Sequence, residues 1–398
     1  MTKNLISIDT REATLKRKIR NHLHGLGFIK DTSGKLLLPN LTKETYRNIH
    51  GHQREEKLER NRKFLEKNQQ RLLKYFANGN EVIPTCIRPR ISLVKAGTLE
   101  ADLFRFATLC WRVPVSEGYG RRMRFLVWDD SNDKLIGLFA LGDAVFNLRV
   151  RDEYIGWSYQ QRAVSLVNLM DAYVLGAVPP YNTLLGGKLV ACLIRSKEVV
   201  SAFRDKYKDS VGIISGQKRD PHLLAVTTTS ALGRSSIYNR LSIGGNKYFT
   251  SLGYTAGWGH FHFPDELFDE MKAFLINRDD NYAASFKFGE GPNWRLRTIK
   301  RVLSALDLGQ DLAQHGLFRE VFFSKFATNA LDGLQTGITN PNYETLLSAS
   351  EVSNLALERW IYPRSISRPD FFSWQSNDVL NQIDPKLESK QSSNYALR

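Results

Sequence analysis

Two apolar runs joined by turn residues constrain this chain most. RMRFLVWDD (122–130) and DKLIGLFALGD (133–143) meet at Ser131, Asn132 and Asp133. Short runs rich in aromatic and aliphatic side chains form strands, and Ser-Asn-Asp is turn chemistry. The stretch predicts a β-hairpin. At 398 residues the chain exceeds one ordinary domain, so two or three units are expected. Its 42% hydrophobic and 11% aromatic content is ample for a folded core.

The rest of the chain arranges itself around that hairpin. Residues 11–28 read as a basic amphipathic helix with Leu15, Ile19, Leu23 and Leu26 on one side. Residues 42–76 are a second helical stretch, which Gly51 breaks. EVIPTCIRPRISL (81–93) carries two prolines and reads as a linker. RDEYIGW (151–157) reads as a small strand or loop, and LVNLMDAYVLGAV (166–178) ends as a strand. Pro179 and Pro180 then stop it, because proline cannot continue a sheet ladder. Residues 184–207 read as a helix, 222–230 as a strand, 235–241 as a short helix and 248–263 as two β segments. Pro264 and its following acids open a helix over 264–277. From about 282 the chain reads as mostly helical, including LFREVFFSKFATNAL (317–331), and the last two dozen residues are polar.

Charge narrows the partners. The chain holds 56 Lys and Arg against 41 Asp and Glu, a net +15. Residues 1–80 carry 18 of one sign against 8 of the other, a net +10. Such a segment suits a DNA- or RNA-facing arm, with Lys16, Arg17, Lys18 and Arg20 as contacts. A solvated helical face is the plainer reading of the same residues. Arg295, Arg297 and Lys300, beside Trp294, form a second phosphate-contacting candidate. Cys86, Cys110 and Cys192 are far apart and odd in number, which fits a reducing cytoplasm. The first residues lack the apolar segment of a signal peptide, and no stretch approaches the ~18 apolar residues of a membrane helix.

The order hairpin, strand, glycine-bearing helix, strand, short helix, two strands resembles a GNAT-type acyltransferase core. VPPYNTLLGGKLVACL (178–193) occupies the place of that family's phosphate loop. There, a helix start with unsatisfied amides and a positive dipole end meets the pyrophosphate of acyl-CoA. The resemblance implies acyl-CoA as cofactor and Leu185, Gly186, Gly187 and Lys188 as its binding loop. Leu184 stands where the family has its first glycine. The resemblance also implies that Tyr238, in the short helix after the fifth strand, donates a proton to the departing thiolate. Ser235 caps that helix in this reading, and Arg234 pairs with a phosphate. The expected fold class is α/β: a GNAT-like mixed β-sheet core between a basic helical N-terminal arm and a helical C-terminal region. The boundaries are 1–80 for the arm, 81–118 for the linker and start of the core, 119–281 for the core, 282–375 for the helical region and 376–398 for a flexible tail.

Eight phrases carry a second resemblance: EVIPTCIRPRISLV, GRRMRFLVWD, IGLFALGDAVFNLR, YIGWS, SALGRSSIYNRL, GYTAGWGHFHF, GPNWRLRTIKRVL and LERWIYPR. Together they are similar to the DruA-type proteins of the Druantia family, over roughly residues 11–365. That resemblance implies a part in bacterial anti-phage defence beside other Druantia proteins, a very large helicase-like one among them. It carries no catalytic residue across. The main expectation is a component that contacts nucleic acid, with DNA foremost, or partner proteins through basic surfaces, over an acyltransferase-like core that is degenerate. The alternative is an active acyltransferase modifying a nucleic-acid base or a protein. A lesser one is a metal-dependent nuclease or transposase-like protein using Asp129, Asp143 and Asp152. Self-association is compatible with the sequence. His260 and His262 would share one side of a strand, yet no Cys or carboxylate at ligand spacing supports a metal there.

Overall fold

A computed structural model describes residues 2–30, 32, 36–115, 120–211, 216, 218–257, 259, 262–278, 294–313, 316–337 and 340–383. The chain divides into two compact units. One comprises Met1–Glu56, Ala231–Gly233 and Thr255–Arg319; the other comprises Lys57–Ser230, Arg234–Tyr254 and Glu320–Arg398.

The first unit is helical. Its long helix Thr2–Gly25 buries Leu15, Ile19 and Leu23, spaced four apart as a helix face requires. These meet Phe268, Met271 and Leu275 of helix Asp265–Ile276, and Ile299, Val302 and Leu303 of helix Trp294–Ala305, in one core. His50 is buried here, with its Nε2 2.7 Å from a guanidinium nitrogen of Arg319. Burial, then the Arg319 charge, lower its pKa to about 4.

The second unit is built on a seven-stranded mixed sheet. In chain order the strands are β1 (Pro89–Leu93), β2 (Arg122–Asp129), β3 (Lys134–Asp143), β4 (Leu169–Ala177), β5 (Ala225–Thr229), β6 (Thr250–Tyr254) and β7 (Glu320–Lys325). Their order in space is β6-β7-β5-β4-β3-β2-β1. Every neighbouring pair is antiparallel except β4 with β5. The β2–β3 hairpin forms as expected. Its turn is held by the Asp129 carboxylate, which accepts from the amide and hydroxyl of Ser131 and from the Tyr181 hydroxyl. Apolar residues cover both faces of β3: Phe139 and Leu141 join one core cluster, Leu138 and Ala140 another. At Gly137 a Cβ would lie 2.5 Å from the Gly176 carbonyl oxygen and 2.7 Å from Val190, so only glycine lets these parts approach. Helices flank the sheet; Leu99–Leu109 starts on a Thr98 cap that accepts from the Ala101 amide.

Several local expectations are corrected. Residues 317–331 are not helical at Glu320–Lys325, which form β7, inserted between β5 and β6. Val321, Phe322 and Phe323 are all buried, so no period-2 alternation marks the strand. Residues 151–157 fall in helix Arg149–Ile155, ended by left-handed Gly156. Residues 184–207 make two helices, Gly186–Leu193 and Lys197–Tyr207. The supposed linker contains edge strand β1. Within the tail, helix Asp378–Ile383 buries Val379 and Ile383. Of the second β segment expected in 248–263, Trp258, His260 and Phe261 lie outside the described residues, and His262 is in a turn. Among the described residues no helix is long and apolar enough to cross a membrane.

Candidate functional site

Strands β4 and β5 pair at three positions, Leu169 with Ala225, Met170 with Val226 and Asp171 with Thr227. Past them β4 runs on to the cis Pro179–Pro180 bond and a loop that starts helix Gly186–Leu193. Leu185 is left-handed at φ 64. A Cβ on Gly186 would lie 2.7 Å from the Tyr181 carbonyl oxygen, so packing explains this glycine. Packing does not explain Gly187, since nothing lies within 4 Å of its Cβ position. The Lys188 ammonium is 5.1 Å from the centre of the Trp360 ring, and the Arg359 guanidinium is 5.9 Å from the same ring. Arg364 donates to the Thr183 carbonyl at 3.2 Å. Burial, then Arg359, Arg240 and Arg364, lower the Lys188 pKa. Arg364 also has a carboxylate neighbour, since its charge, after the hydrogen bond and charge of Arg368, lowers the Asp370 pKa. Trp360 sits in a π-helical turn, Leu357–Ile361, a geometry enriched at functional sites.

Tyr238 and Ser235 are occupied structurally. Tyr238 packs against Phe249 and Phe322, with ring centres 5.2 and 5.1 Å away, and burial raises its phenol. Only one 3-10 turn forms there, Tyr238–Arg240. The Ser235 hydroxyl accepts from the Tyr238 amide at 3.3 Å, but Ile237, not Ser235, holds the N-cap position of the turn. The Ser235 amide donates to buried Glu320, which also accepts from the Asn239 side chain and the Ser251 hydroxyl. Arg234 is exposed.

A second group of polar side chains gathers around helix Arg149–Ile155. Arg151 is fully buried; it donates twice to Asp152 and to the Val145 and Phe146 carbonyls. Asp152 also accepts from Arg162 at 2.8 Å and from the Leu148 amide. Nearby on β4, Asp171 accepts from the Thr227 hydroxyl at 2.8 Å. Burial pushes Asp171 up to about 6, against the Thr227 hydrogen bond and the Arg151 and Arg122 charges. Arg122 stacks 4.0 Å over Tyr173. The Nε atoms of Arg122 and Arg162 are buried without a hydrogen-bond partner. Beside this network lies an open cavity of about 360 Å³, lined by Asn147, Arg149, Asp152, Glu153, Trp157 and Arg162 among others.

The remaining sequence-predicted residues are dispersed. Lys16 pairs with Glu12, Lys18 with Glu270 and Arg295 with Asp265, which ties three proposed phosphate contacts into the first unit. Arg17, Arg20 and Arg297 are exposed, and Lys300 is half-buried. Asp129 serves its turn, Asp143 pairs with Arg121, and Asp152 pairs with two arginines. Among the described residues no three His, Cys, Asp or Glu side chains converge as metal ligands would, so these aspartates form no cluster. Sequence reasoning missed Asp171, Thr227 and Arg122. The available signal was a lone carboxylate inside the apolar run LVNLMDAYVLGAV.

The fold is that of a mixed α/β protein with one parallel seam, carrying a group of cations at a glycine-bearing helix start and a buried arginine–carboxylate network. Comparison with known proteins is more specific. A family model described as "Druantia protein DruA" matches residues 40–336. A Druantia protein DruA from Escherichia coli (strain UMEA 4076-1) is 53% identical over 379 residues, covering 95% of this chain and 94% of that protein. The chain belongs to the DruA family of Druantia proteins, and with it to the components of an anti-phage defence system. No solved structure matches.

Proposed function

We propose that the chain serves its defence system as a binding component. In this reading basic surfaces contact nucleic acid, DNA foremost, and other Druantia proteins, a helicase-like one among them. The sheet is a GNAT-like scaffold that no longer transfers acyl groups. Support for the GNAT-like plan comes from the single parallel pair β4–β5, the helix start that follows β4, and the register shift opposite Ala140 and Leu141. The observation that carries the scaffold reading is the packing of Tyr238 against Phe249 and Phe322, where the half-buried ring leans on the core and burial opposes its ionisation.

The bare Gly187 and the gathering of Lys188, Arg240, Arg359 and Arg364 favour a second reading, an active acyl-CoA enzyme. Calorimetric titration of CoA into the protein separates the two. The scaffold reading expects no binding; micromolar CoA binding lost in Gly187→Glu overturns it, because that substitution meets open space rather than the core. The same reading expects Tyr238→Phe in the intact defence operon to keep full plaque protection at normal protein level. For the nucleic-acid contact, Arg17→Glu with Arg20→Glu is expected to weaken DNA binding and flatten its salt dependence. Unchanged affinity would remove the arm from the account.

A further inference from the structure

We propose that the groove over residues 145–164 binds single-stranded nucleic acid, taking a base against its aromatic side chains and the adjoining phosphates on its arginines. The ligand class rests on the nucleic-acid reading above; the site is separate from the N-terminal arm. The cavity, about 360 Å³, is of the size that holds a small molecule or one unit of a polymer. Its aromatic lining residue, Trp157, is buried, and two exposed rings adjoin the cavity through the lining residue Arg162. Phe146 is 37% and Tyr159 65% accessible, and their rings meet edge to face at 5.5 Å. Val145, Tyr154 and Val164 are exposed in the same stretch, an apolar concentration that a surface without a partner rarely carries.

Arginines interleave with these rings. The Arg162 guanidinium lies 4.5 Å from the Phe146 ring and 5.6 Å from the Tyr159 ring, and its buried Nε has no partner. The Arg149 side chain is 86% exposed at the cavity edge, loosely paired with Glu153 at 3.3 Å. The carboxylate of Asp152 does not repel a phosphate strongly, because Arg151, Arg162 and the Leu148 amide already neutralise it. With Arg151 buried and Arg162 paired to Asp152, Arg149 is the exposed arginine that a phosphate can reach directly. Aromatic platforms beside cations recognise unpaired bases, whose faces are open, and not duplex, whose faces are stacked away.

The test is fluorescence anisotropy of the full chain with a labelled oligothymidylate and with a labelled duplex. Phe146→Ala with Tyr159→Ala removes exposed rings only, and circular dichroism checks the fold. Single-strand affinity is expected to fall about tenfold or more while duplex affinity holds. Tyr159→Trp is expected to keep it. If the wild type binds the single strand and the double variant binds it equally well, the groove is overturned while the nucleic-acid reading stands. If the wild type binds neither oligonucleotide, both fall. Unchanged single-strand affinity with loss of binding to another purified Druantia protein would make this a protein-docking face instead.

Discussion

Arg151→Ala is expected to destabilise the sheet-bearing unit by about 3–5 kcal/mol, the range for breaking a buried ion pair by removing one partner. Arg151 is fully buried and spends its guanidinium on Asp152 and on the Val145 and Phe146 carbonyls. Alanine would leave those two carbonyls without their donor and Asp152 with Arg162 as its one remaining cation. Arg151→Lys is expected to recover little, because a single ammonium cannot match the planar fork that reaches all three acceptors. Urea unfolding followed by circular dichroism reads the effect as a lower midpoint at unchanged slope. A loss under about 1 kcal/mol would mean that the network is worth no more than an exposed ion pair.

Asp171→Asn is expected to stabilise the protein above neutral pH. The carboxyl rises from 3.8 to about 6 on folding, chiefly through burial. Its folded pKa therefore exceeds the unfolded one. The stability this contributes is fully present below about pH 4 and is lost as pH rises through 6. The shift corresponds to roughly 3 kcal/mol as an upper figure. Asparagine keeps an oxygen for the Thr227 hydroxyl and removes the charge. Wild type and variant should converge at pH 4 and separate, with the variant more stable, towards pH 7.5. Parallel unfolding midpoints across that range would show that Asp171 ionises without cost.

The hairpin at 122–143 was legible because two apolar runs meet at turn residues whose side chains hold the turn themselves. The start of the helix after Pro180 was legible for a similar reason, since a glycine pair ahead of an aliphatic run is local information. β7 was not. With both faces buried it shows neither a helical nor a strand period, and its partners β5 and β6 precede it by at least sixty-five residues. Asp152 and Arg162 were visible as charges, but only the loop between their helices brings them together. Asp171 was visible as a lone carboxylate, while Arg122 and Thr227 reach it from strands distant in sequence. Tyr238 reads as part of a helix over 235–241, where one 3-10 turn forms, and the rings that pack on it, Phe249 and Phe322, come from positions that residue type and local spacing do not reveal.

The late arrival of β7 has a consequence for biosynthesis. Strands β1 to β4 can zip together as they leave the ribosome, each beside the one before it. β5 can add to β4, but β6 cannot join the sheet, because the strand that links it to β5 is translated only after Thr255–Arg319, a segment of the other unit. Until Lys325 emerges, the nascent chain carries one open strand edge on β5 and two on β6, the kind of template that invites foreign strands. Stalled chains ending at Arg319 should accordingly be captured by chaperones and cleaved readily by protease, and chains stalled well beyond Ile383 should resist both. Equal protease resistance at the two lengths would mean that the sheet closes without its seventh strand.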